Sequence, residues 1–482
     1  MNVIVFCSDT FRYDHLAFTG LAPVQTPNLD QFSRESAHFT DFRLCSFPTV
    51  LNRMEVFTGR YIFPLMGWGA LPFHFPVLAE VFQHHGYATA LVADNPHIMK
   101  EGFGFGRGFQ FVKDVPGQTD DAFQPDTAPM IDLPCDAAKL EPRPGRIERY
   151  RRNAWWYRQK GTTTTETVCR EAMRWLDDAP EKFFLWIDCF DPHEPWDAPK
   201  RWLEPYPWDA SGDEVIWPRD GRADAYPPAD LANMRSLYRA EVSQIDHYLG
   251  ELLAHLRDRK RLDNTAVLFC SDHGYYLGEH GLLGKLFKRD SGLVNIIYDE
   301  LARVPMLIRH PAGLGAGKSL GGFCQPTDLF PTALELAGLP PVDWTQGHSL
   351  VPRMHGKDGV QKFAVGGCHP HSRNASCISL WAGEWSFIYS PVKGLAGSEL
   401  YHRPSDPVQT RNVIGDHAGV AAEHLTRLRS WFESLGVSSA RLRQLLHYEN
   451  TGRVQKLKQR FWMLGNRWHY LRKYRNYARR PR

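Results

Sequence analysis

The sequence predicts an α/β fold, in which a doubly wound, mainly parallel sheet is flanked by helices and followed by a small C-terminal antiparallel sheet. Over the first 340 residues, apolar runs of strand length alternate with helical patterns, which is the order that a parallel sheet requires. Further on, the runs become short and rich in aromatic and β-branched residues, which favours an antiparallel sheet. We therefore divide the chain into a main α/β domain, 1–360, an α+β subdomain that completes the fold, 361–436, and a helical tail, 437–482.

Each predicted strand is a short apolar run, and most of these runs end in polar residues. The strands are predicted at 3–7, 88–93, 183–189, 267–270 and 304–308. Residues with helical spacing or with helix-capping signals lie between them and after them. The helices are predicted at 76–85, 163–176, 231–257, 327–338 and 420–435. Such an alternation places helices on both faces of the sheet.

Composition narrows the class of protein only a little. The chain has 482 residues and a formal net charge of +3, which says little about partners by itself. Its nine cysteines are scattered and form no C-x-x-C pair, a pattern that favours a reducing compartment. Met1 and Asn2 lead directly into an apolar strand, and no apolar run reaches membrane-spanning length. We expect a cytoplasmic protein with no signal peptide and no transmembrane segment.

The tail has a different composition. From Arg453 to Arg482 it carries eleven Lys or Arg residues and no acid, with aromatic residues interleaved. Such a segment can dock onto a second subunit, remain solvated, or lie on an anionic membrane surface. It can also bind nucleic acid. We rank homo-oligomer or other protein contact and a solvated end above lipid, and lipid above nucleic acid.

Acidic and imidazole side chains follow two of the predicted strands. Asp9 comes after the strand at 3–7, and Asp272 and His273 come after the strand at 267–270. In open α/β sheets, ligands bind at the carboxyl ends of the strands. Carboxylate oxygen and imidazole nitrogen together suit a divalent cation of the zinc or manganese kind. The alternative is that Asp9 is a loop acid and that Asp272 and His273 belong to a simple turn.

A threonine and an arginine mark the start of another predicted helix. Thr49 follows a proline, and Arg53 comes four residues later. A hydroxyl at a helix N-terminus lies in a positive field, which stabilises a developing alkoxide or a bound anion. Arg53 lies one turn along on the same face and can reach an oxyanion held over Thr49. Alternatively, Thr49 is an N-cap and Arg53 is a surface charge.

One histidine lies on a stiff loop beyond the strand at 183–189. His193 is flanked by prolines, and imidazole is the side chain best suited to proton transfer near neutral pH. It is a candidate acid or base, although a loop histidine without a role gives the same pattern. Tryptophans follow it at positions 196, 202, 208 and 217. They can stack on sugars or aryl groups, or pack the insertion onto the domain.

From Val3 to about Val413 the chain resembles the sulfatase family, within the alkaline-phosphatase-like hydrolases. The Asp272-His273-Gly274 stretch continues through 278–282 to Lys285 in the order that this family shows. Further ordered matches are Tyr298-Asp299-Glu300, 325–332, 347–350 and Glu399-Leu400-Tyr401. So many matches in one order make the resemblance specific.

The resemblance implies a role for each candidate residue. Asp9, Asp272 and His273 would hold one or two divalent cations, either Mn, Zn, Ca or Mg, with the oxygen of the nucleophile completing the site. His193 and Lys285 occur where the family has residues that hold the substrate anion and assist the leaving group. Arg53 occurs where the family has an arginine beside the nucleophile.

The nucleophile segment departs from the family pattern. That pattern is C-x-P-S-R followed by L-L-T-G-R, and its Cys, or sometimes Ser, becomes formylglycine. Alignment on Arg53 and on the Thr58-Gly59 pair puts Thr49 at this position, because Cys45 comes four residues too early. Threonine cannot become formylglycine, so none is expected. Related phosphodiesterases of the superfamily do use a threonine nucleophile.

These residues predict a sulfatase-family, metal-dependent hydrolase that cleaves small anionic sulfate or phosphate esters through Thr49. A formylglycine diol can release sulfate by elimination, whereas a threonine ester must be displaced directly. That chemistry favours phosphate esters, while the resemblance favours sulfate esters. The alternatives are a phosphodiesterase or phosphonate monoester hydrolase, a phosphoryl-type transferase, and a catalytically inactive homologue that binds anions.

Overall fold

A computed structural model describes residues 1–119, 121, 123, 128–129, 131–141, 144–285, 295–369 and 376–447. The strands in these residues are β1 Asn2–Ser8, β2 Ser36–Phe39, β3 Ser46–Phe47, β4 Ala88–Ala93, β5 Phe111–Asp114, β6 Phe183–Cys189, β7 Gly221–Arg222, β8 Thr265–Ser271, β9 Tyr276–Leu277, β10 Leu282–Gly284, β11 Met306–Arg309, β12 Ser319–Leu320, β13 Phe363–Cys368, β14 Ile378–Ala382, β15 Trp385–Tyr389 and β16 Glu399–His402. The α-helices are α1 Pro27–Arg34, α2 Thr49–Thr58, α3 Leu78–His84, α4 Pro144–Gln159, α5 Thr164–Asp178, α6 Lys200–Leu203, α7 Pro228–Asp258, α8 Asp299–Ala302, α9 Leu329–Ala337, α10 Val351–Met354, α11 Ala418–Ser434 and α12 Ser439–Leu446.

The main sheet confirms the predicted mainly parallel α/β fold. Its eight strands follow the order β12-β2-β11-β8-β1-β6-β4-β5. The five strands from β8 to β5 are parallel, and β11 runs antiparallel to both of its neighbours. Strands β1, β6 and β8 are buried at every residue, which is why they appear in the sequence as continuous apolar runs. Their carboxyl ends meet at one edge of the sheet, where the candidate residues lie.

The second sheet confirms the predicted C-terminal antiparallel sheet and adds one strand to it. Strands β13 to β16 pair antiparallel in sequence order. The short strand β3 joins them in parallel with β13, with Phe47 opposite Cys368. This pairing brings the segment just before Thr49 onto the C-terminal sheet. The main eight-stranded sheet and this five-stranded sheet share one apolar core, which includes Val5 from β1 and Phe387 from β15. The boundary at residue 361 stays our proposal.

The helices follow the predicted periodicity. Helix α7 has 31 residues, and the side chains that it buries against the sheet include Tyr238, Ile245 and Leu249. Helix α9 ends at Gly338, whose φ of 71° suits a residue without a side chain. Among the described helices, none combines the length and the apolar character needed to cross a membrane. Within the described residues, no disulfide joins the cysteines. The basic tail from residue 448 onward lies outside the described residues.

Candidate active site and metal centre

Three of the predicted metal ligands come together at the edge of the main sheet. Ser8 pairs with Ser271 at the ends of β1 and β8, so the residues that follow them are neighbours. Ligand atoms of Asp9, Asp272 and His273 all lie within 4.8 Å of one another, and the three side chains are buried. Two carboxylates and an imidazole at this spacing match the donor set of a divalent cation.

Thr10, which the sequence did not single out, orients both carboxylates. Its φ of 66° is in the left-handed region, which is unfavourable for a β-branched residue. In this conformation its backbone N–H donates to Asp272 Oδ1 at 2.9 Å, and its hydroxyl donates to Asp9 Oδ1 at 2.8 Å. The strained turn thus gives each carboxylate one defined hydrogen bond.

The ring of His273 has the orientation of a metal ligand. Its Nδ1 lies 3.0 Å from the carbonyl oxygen of Gly274, so we assign the proton to Nδ1 and the lone pair to Nε2. That nitrogen is 3.6 Å from Asp272 Oδ2, an oxygen that also lies 3.0 Å from the guanidinium of Arg53. Gly274 is required here because a Cβ would lie 1.9 Å from the carbonyl oxygen of Glu300. The carboxylate oxygen and the lone pair on Nε2 are both suitable donors for a bound cation.

Burial shifts the pKa values of all three ligands, and neighbouring groups separate those of the two carboxylates. Burial raises the pKa of Asp9 well above its usual value, and the charge of Asp272 adds to this. Burial also acts to raise the pKa of Asp272, but His273, Arg53 and two backbone N–H groups hold it below its usual range. Burial lowers the pKa of His273 to about 4, so its imidazole is neutral near pH 7. A cation would relieve the repulsion between the two carboxylates.

Thr49 lies beside these ligands. It is the first residue of α2 and is 2% exposed. Its Oγ1 lies 3.3 Å from His273 Nε2. The hydroxyl therefore shares the space around the ligand atoms and is also at a helix N-terminus, where negative charge is stabilised.

Arg53 lies one turn after Thr49, and its guanidinium faces carboxylates. It donates to Asp188 twice, from Nε at 2.7 Å and from Nη2 at 3.0 Å. Its Nη1 is 3.0 Å from Asp272 Oδ2, and its Nη2 is 3.6 Å from Asp9 Oδ2. The predicted contact between Arg53 and a substrate oxyanion stays a prediction.

Asp188 and Asn95 belong to the same network, and sequence reasoning missed both roles. Asp188 lies in β6, is fully buried and accepts from Trp186 Nε1 at 2.9 Å. Asn95 donates to Asp188 Oδ1 at 3.1 Å and to Asp9 Oδ2 at 3.2 Å. The available signal was the acid itself, within the apolar run F-F-L-W-I-D-C, because an acid is almost never fully buried without a partner.

His193 and Lys285 lie on another side of the site. His193 Nδ1 is 2.6 Å from the carbonyl oxygen of Glu194, which assigns the lone pair of the neutral ring to Nε2. Burial lowers the pKa of His193 well below its usual value, and the charge of Lys285 contributes. Lys285 Nζ is 3.0 Å from Glu194 Oε2 and 3.2 Å from Thr10 Oγ1. Thr10 in turn contacts Asp9, so Lys285 is linked to the metal ligands.

A cavity lies two aromatic ring contacts away from His193. The ring of Trp68 is 5.1 Å from the ring of His97, which is 6.3 Å from the ring of His193. Trp68 also contributes to a cavity of about 300 Å³. The cavity is lined by Leu65, Met66, Gly67, Trp68, Pro72, His74, Phe75 and His369. Its lining is mainly apolar and aromatic, and it can receive a flat ring.

Two tryptophans of the insertion that follows His193 are buried, and a third is exposed. Trp196 is fully buried and its ring meets Tyr238 and Tyr275. Trp217 is 3% exposed and lies under the guanidinium of Arg146. Trp208, by contrast, is 42% exposed.

Glu55 anchors the segment that precedes Thr49. It accepts hydrogen bonds from the N–H of Ser46 at 2.9 Å and of Ile62 at 3.1 Å, and also from the Ser46 hydroxyl. That hydroxyl accepts from the N–H of Phe63 at 2.7 Å. Burial raises the pKa of Glu55 to about 7.

This raised pKa predicts a pH-dependent stability. The ordinary pKa is 4.5, so between pH 4.5 and about 7 the folded state binds more protons, and stability falls as the pH rises. The loss attributable to Glu55 is about 3 kcal/mol. We expect Glu55→Gln to remove this part of the pH dependence in urea unfolding between pH 4.5 and 8. The exposed-site control Glu433→Gln should behave as wild type. Parallel curves for wild type and Glu55→Gln would contradict the prediction.

Comparisons with known proteins show which family the chain resembles over most of its length. The profile of the family described as Sulfatase matches residues 1–339. A second profile, described as N-sulphoglucosamine sulphohydrolase, C-terminal, matches residues 278–430. Arylsulfatase K of Danio rerio is 30% identical over 217 residues, which cover 44% of this chain and 39% of the relative. The chain thus spans about two-fifths of that relative's length.

Other similar proteins match over more of their length. The arylsulfatase of Clostridium perfringens (strain 13 / Type A) is 24% identical over 459 residues, which cover 86% of this chain and 90% of that protein. The crystal structure of the phosphonate monoester hydrolase of Agrobacterium radiobacter has the same fold, with a TM-score of 0.69 and 21% identity, covering 89% of this chain and 96% of that one. The predicted class, a sulfatase-like ester hydrolase, agrees with these relatives. Since the Sulfatase profile covers well over half of the residues, the chain belongs to the sulfatase family.

Proposed function

We propose that this protein is a metal-dependent hydrolase of small sulfate or phosphate esters, with Thr49 as the nucleophile. The observation that carries the proposal is the position of Thr49 Oγ1, 3.3 Å from His273 Nε2. His273 in turn belongs to the buried group with Asp9 and Asp272. This distance supports a role for the Thr49 hydroxyl as nucleophile beside three candidate cation ligands.

The first step transfers the sulfuryl or phosphoryl group to threonine. A divalent cation held by Asp9, Asp272, His273 and the Thr49 hydroxyl would supply Lewis acidity, which lowers the pKa of that hydroxyl. Thr49 loses its proton to solvent, and its oxygen attacks sulfur or phosphorus in line with the leaving group. The bond from sulfur or phosphorus to the ester oxygen breaks, and the ammonium of Lys285 donates a proton to that oxygen.

Water completes the reaction. The neutral His193 ring can take a proton from water at Nε2, because its Nδ1–H donates a hydrogen bond to the carbonyl oxygen of Glu194 and leaves the lone pair on Nε2. The resulting hydroxide displaces Thr49 from sulfur or phosphorus and releases inorganic sulfate or phosphate. His193 passes its proton to the threonine oxygen through solvent, and Lys285 is reprotonated from solvent. Glu194 holds Lys285 in place through the 3.0 Å ion pair.

A second candidate is cleavage of phosphodiesters or phosphonate monoesters. Thr49 favours it, because a threonine ester must be opened by direct attack of water, which is easier at phosphorus than at sulfur. The fold shared with the phosphonate monoester hydrolase of Agrobacterium radiobacter is consistent with it. An inactive anion-binding homologue is disfavoured by the intact ligand group and by the buried Lys285.

A substrate panel tests the proposal. We expect the purified protein to hydrolyse at least one of an aryl sulfate, a phosphate monoester, a phosphodiester and a phosphonate monoester when supplied with Mn²⁺, Zn²⁺, Ca²⁺ or Mg²⁺. The apolar cavity beside His97 predicts faster turnover of aryl esters than of alkyl esters. Transfer to an added alcohol, measured by product analysis, would identify a transferase. No turnover of any ester with any cation would contradict the proposal.

The cellular setting is proposed as well. The scattered cysteines, among which the described part of the chain forms no disulfide, support a cytoplasmic location. We retain contact with a second subunit through the basic tail as a proposal, with nucleic acid as the least favoured partner.

A further inference from the structure

A buried ion pair lies directly beneath the candidate metal ligands. Arg53 and Asp188 are both fully buried, and two hydrogen bonds of 2.7 and 3.0 Å join them. Asp188 is also held by the indole N–H of Trp186 at 2.9 Å and by the amide of Asn95 at 3.1 Å. Each oxygen of the Asp188 carboxylate therefore accepts two hydrogen bonds, which fix its position.

The charge of Arg53 must be balanced within this site. A guanidinium does not lose its proton in proteins, and a buried charge without a partner is very unfavourable. The carboxylates near it are those of Asp188, Asp272 and Asp9, at nearest distances of 2.7, 3.0 and 3.6 Å. Asp272 and Asp9 are the candidate metal ligands, and Asp188 is outside that group.

Two arrangements of charge follow from this geometry. With the charge of Asp188 present, two hydrogen bonds of the guanidinium go to Asp188, and its close contact with the candidate ligands is the 3.0 Å approach of Nη1 to Asp272 Oδ2. Without that charge, Arg53 would be balanced by Asp9 and Asp272 themselves. The guanidinium would then compete with the cation for the same oxygens.

We propose that Asp188 is a positioning residue that sets the affinity of the neighbouring site for its divalent cation by balancing the charge of Arg53. The inference rests on the metal site of the proposed function and goes beyond it, because it assigns metal affinity to a side chain that does not touch the cation. Asp188 acts through Arg53, and the two residues should therefore be coupled in their effects on metal binding.

The first test is calorimetric titration of metal-free protein with Mn²⁺ and with Zn²⁺. We expect Asp188→Asn, which keeps the shape of the side chain, to weaken the affinity for the cation by about 10- to 100-fold. The matched control is Asp246→Asn. Asp246 is also a buried acid, but its carboxylate accepts from Asn28 and Leu29, away from the site. This control should bind the cation as wild type does, and an unchanged affinity in Asp188→Asn would overturn the inference.

The second test separates charge balance from a merely structural role. Under the proposal, Arg53→Met/Asp188→Asn removes both charges and should regain an affinity within about threefold of wild type, because Asp9 and Asp272 are again unopposed. If Asp188 only maintained the structure, the double variant would bind the cation no better than Asp188→Asn. That result would overturn the inference.

Comparison of the double variant with Arg53→Met covers the case in which Asp188→Asn does not fold. Since Asp188 acts through Arg53, adding Asp188→Asn to Arg53→Met should change the affinity by less than about threefold. A larger loss would contradict the inference.

The same titrations separate the inference about Asp188 from the proposed hydrolase function. A wild-type protein that binds the cation with the expected coupling, but hydrolyses no ester, would refute the proposed function alone. A wild-type protein that binds no divalent cation would refute both.

Discussion

Thr49→Ala should lower kcat/KM for ester hydrolysis by at least about a thousandfold, because it removes the atom that forms the covalent intermediate. The variant should still bind a divalent cation, since Asp9, Asp272 and His273 remain in place. Steady-state kinetics on the best substrate of the panel, together with calorimetric metal titration, would measure both effects. Thr49→Ser, which keeps a hydroxyl, should retain a measurable part of the activity.

Cys45→Ala is the matched control for this experiment. Burial raises the pKa of the Cys45 thiol well above its usual value, and the charge of Glu55 adds to this. The thiol therefore remains protonated and is a poor nucleophile. We expect Cys45→Ala to retain activity. Full activity in Thr49→Ala together with loss in Cys45→Ala would show that the nucleophile has been misassigned.

Removal of the cation or of one of its ligands should have an effect of similar size. We expect a chelator to abolish hydrolysis and added Mn²⁺ or Zn²⁺ to restore it, and we expect Asp272→Ala to lose at least about a thousandfold in kcat. The cation should raise the melting temperature of the wild-type protein, because it binds the folded state alone. The cation should raise the melting temperature of Asp272→Ala much less.

Asp328→Asn serves as the control for loss of a buried carboxylate. Asp328 accepts from the backbone N–H groups of Gln325 and His348, away from the candidate ligands. Its variant should remain dependent on the cation and should keep a cation-induced rise in melting temperature. Chelator-resistant hydrolysis by the wild-type protein would refute the metal-dependent mechanism.

The strand-end residues show how much of the site the sequence could predict. Asp9, Asp272 and His273 follow apolar runs that become neighbouring parallel strands, and parallel strands end at the same edge. Pattern and position were therefore enough to bring them together. Thr49 was found by a different route, through the resemblance and the spacing to Arg53, and it lies beside His273.

The network around Arg53 shows what the sequence could not supply. Helical spacing placed Arg53 on the same face as Thr49, but the direction of its guanidinium depends on Asp188, which comes from a strand far along the chain. Asp188 occurs in an apolar run, where the pattern indicates only a strand. The role of Thr10 could not be predicted either, because it depends on a left-handed backbone conformation that threonine rarely adopts. Local patterns identify elements, whereas pairing between distant polar groups depends on tertiary structure.

The strand pairing between Phe47 and Cys368 joins two segments that lie far apart in the sequence. The residues that precede the proposed nucleophile find their strand partner only in the last quarter of the polypeptide. While the ribosome is still translating the main sheet, Ser46 and Phe47 have no edge to join, although Asp9 and Asp272 have already been synthesised. A chain that ends before β13 would therefore contain Asp9, Asp272 and His273 but would lack the strand that pairs with the segment leading into Thr49.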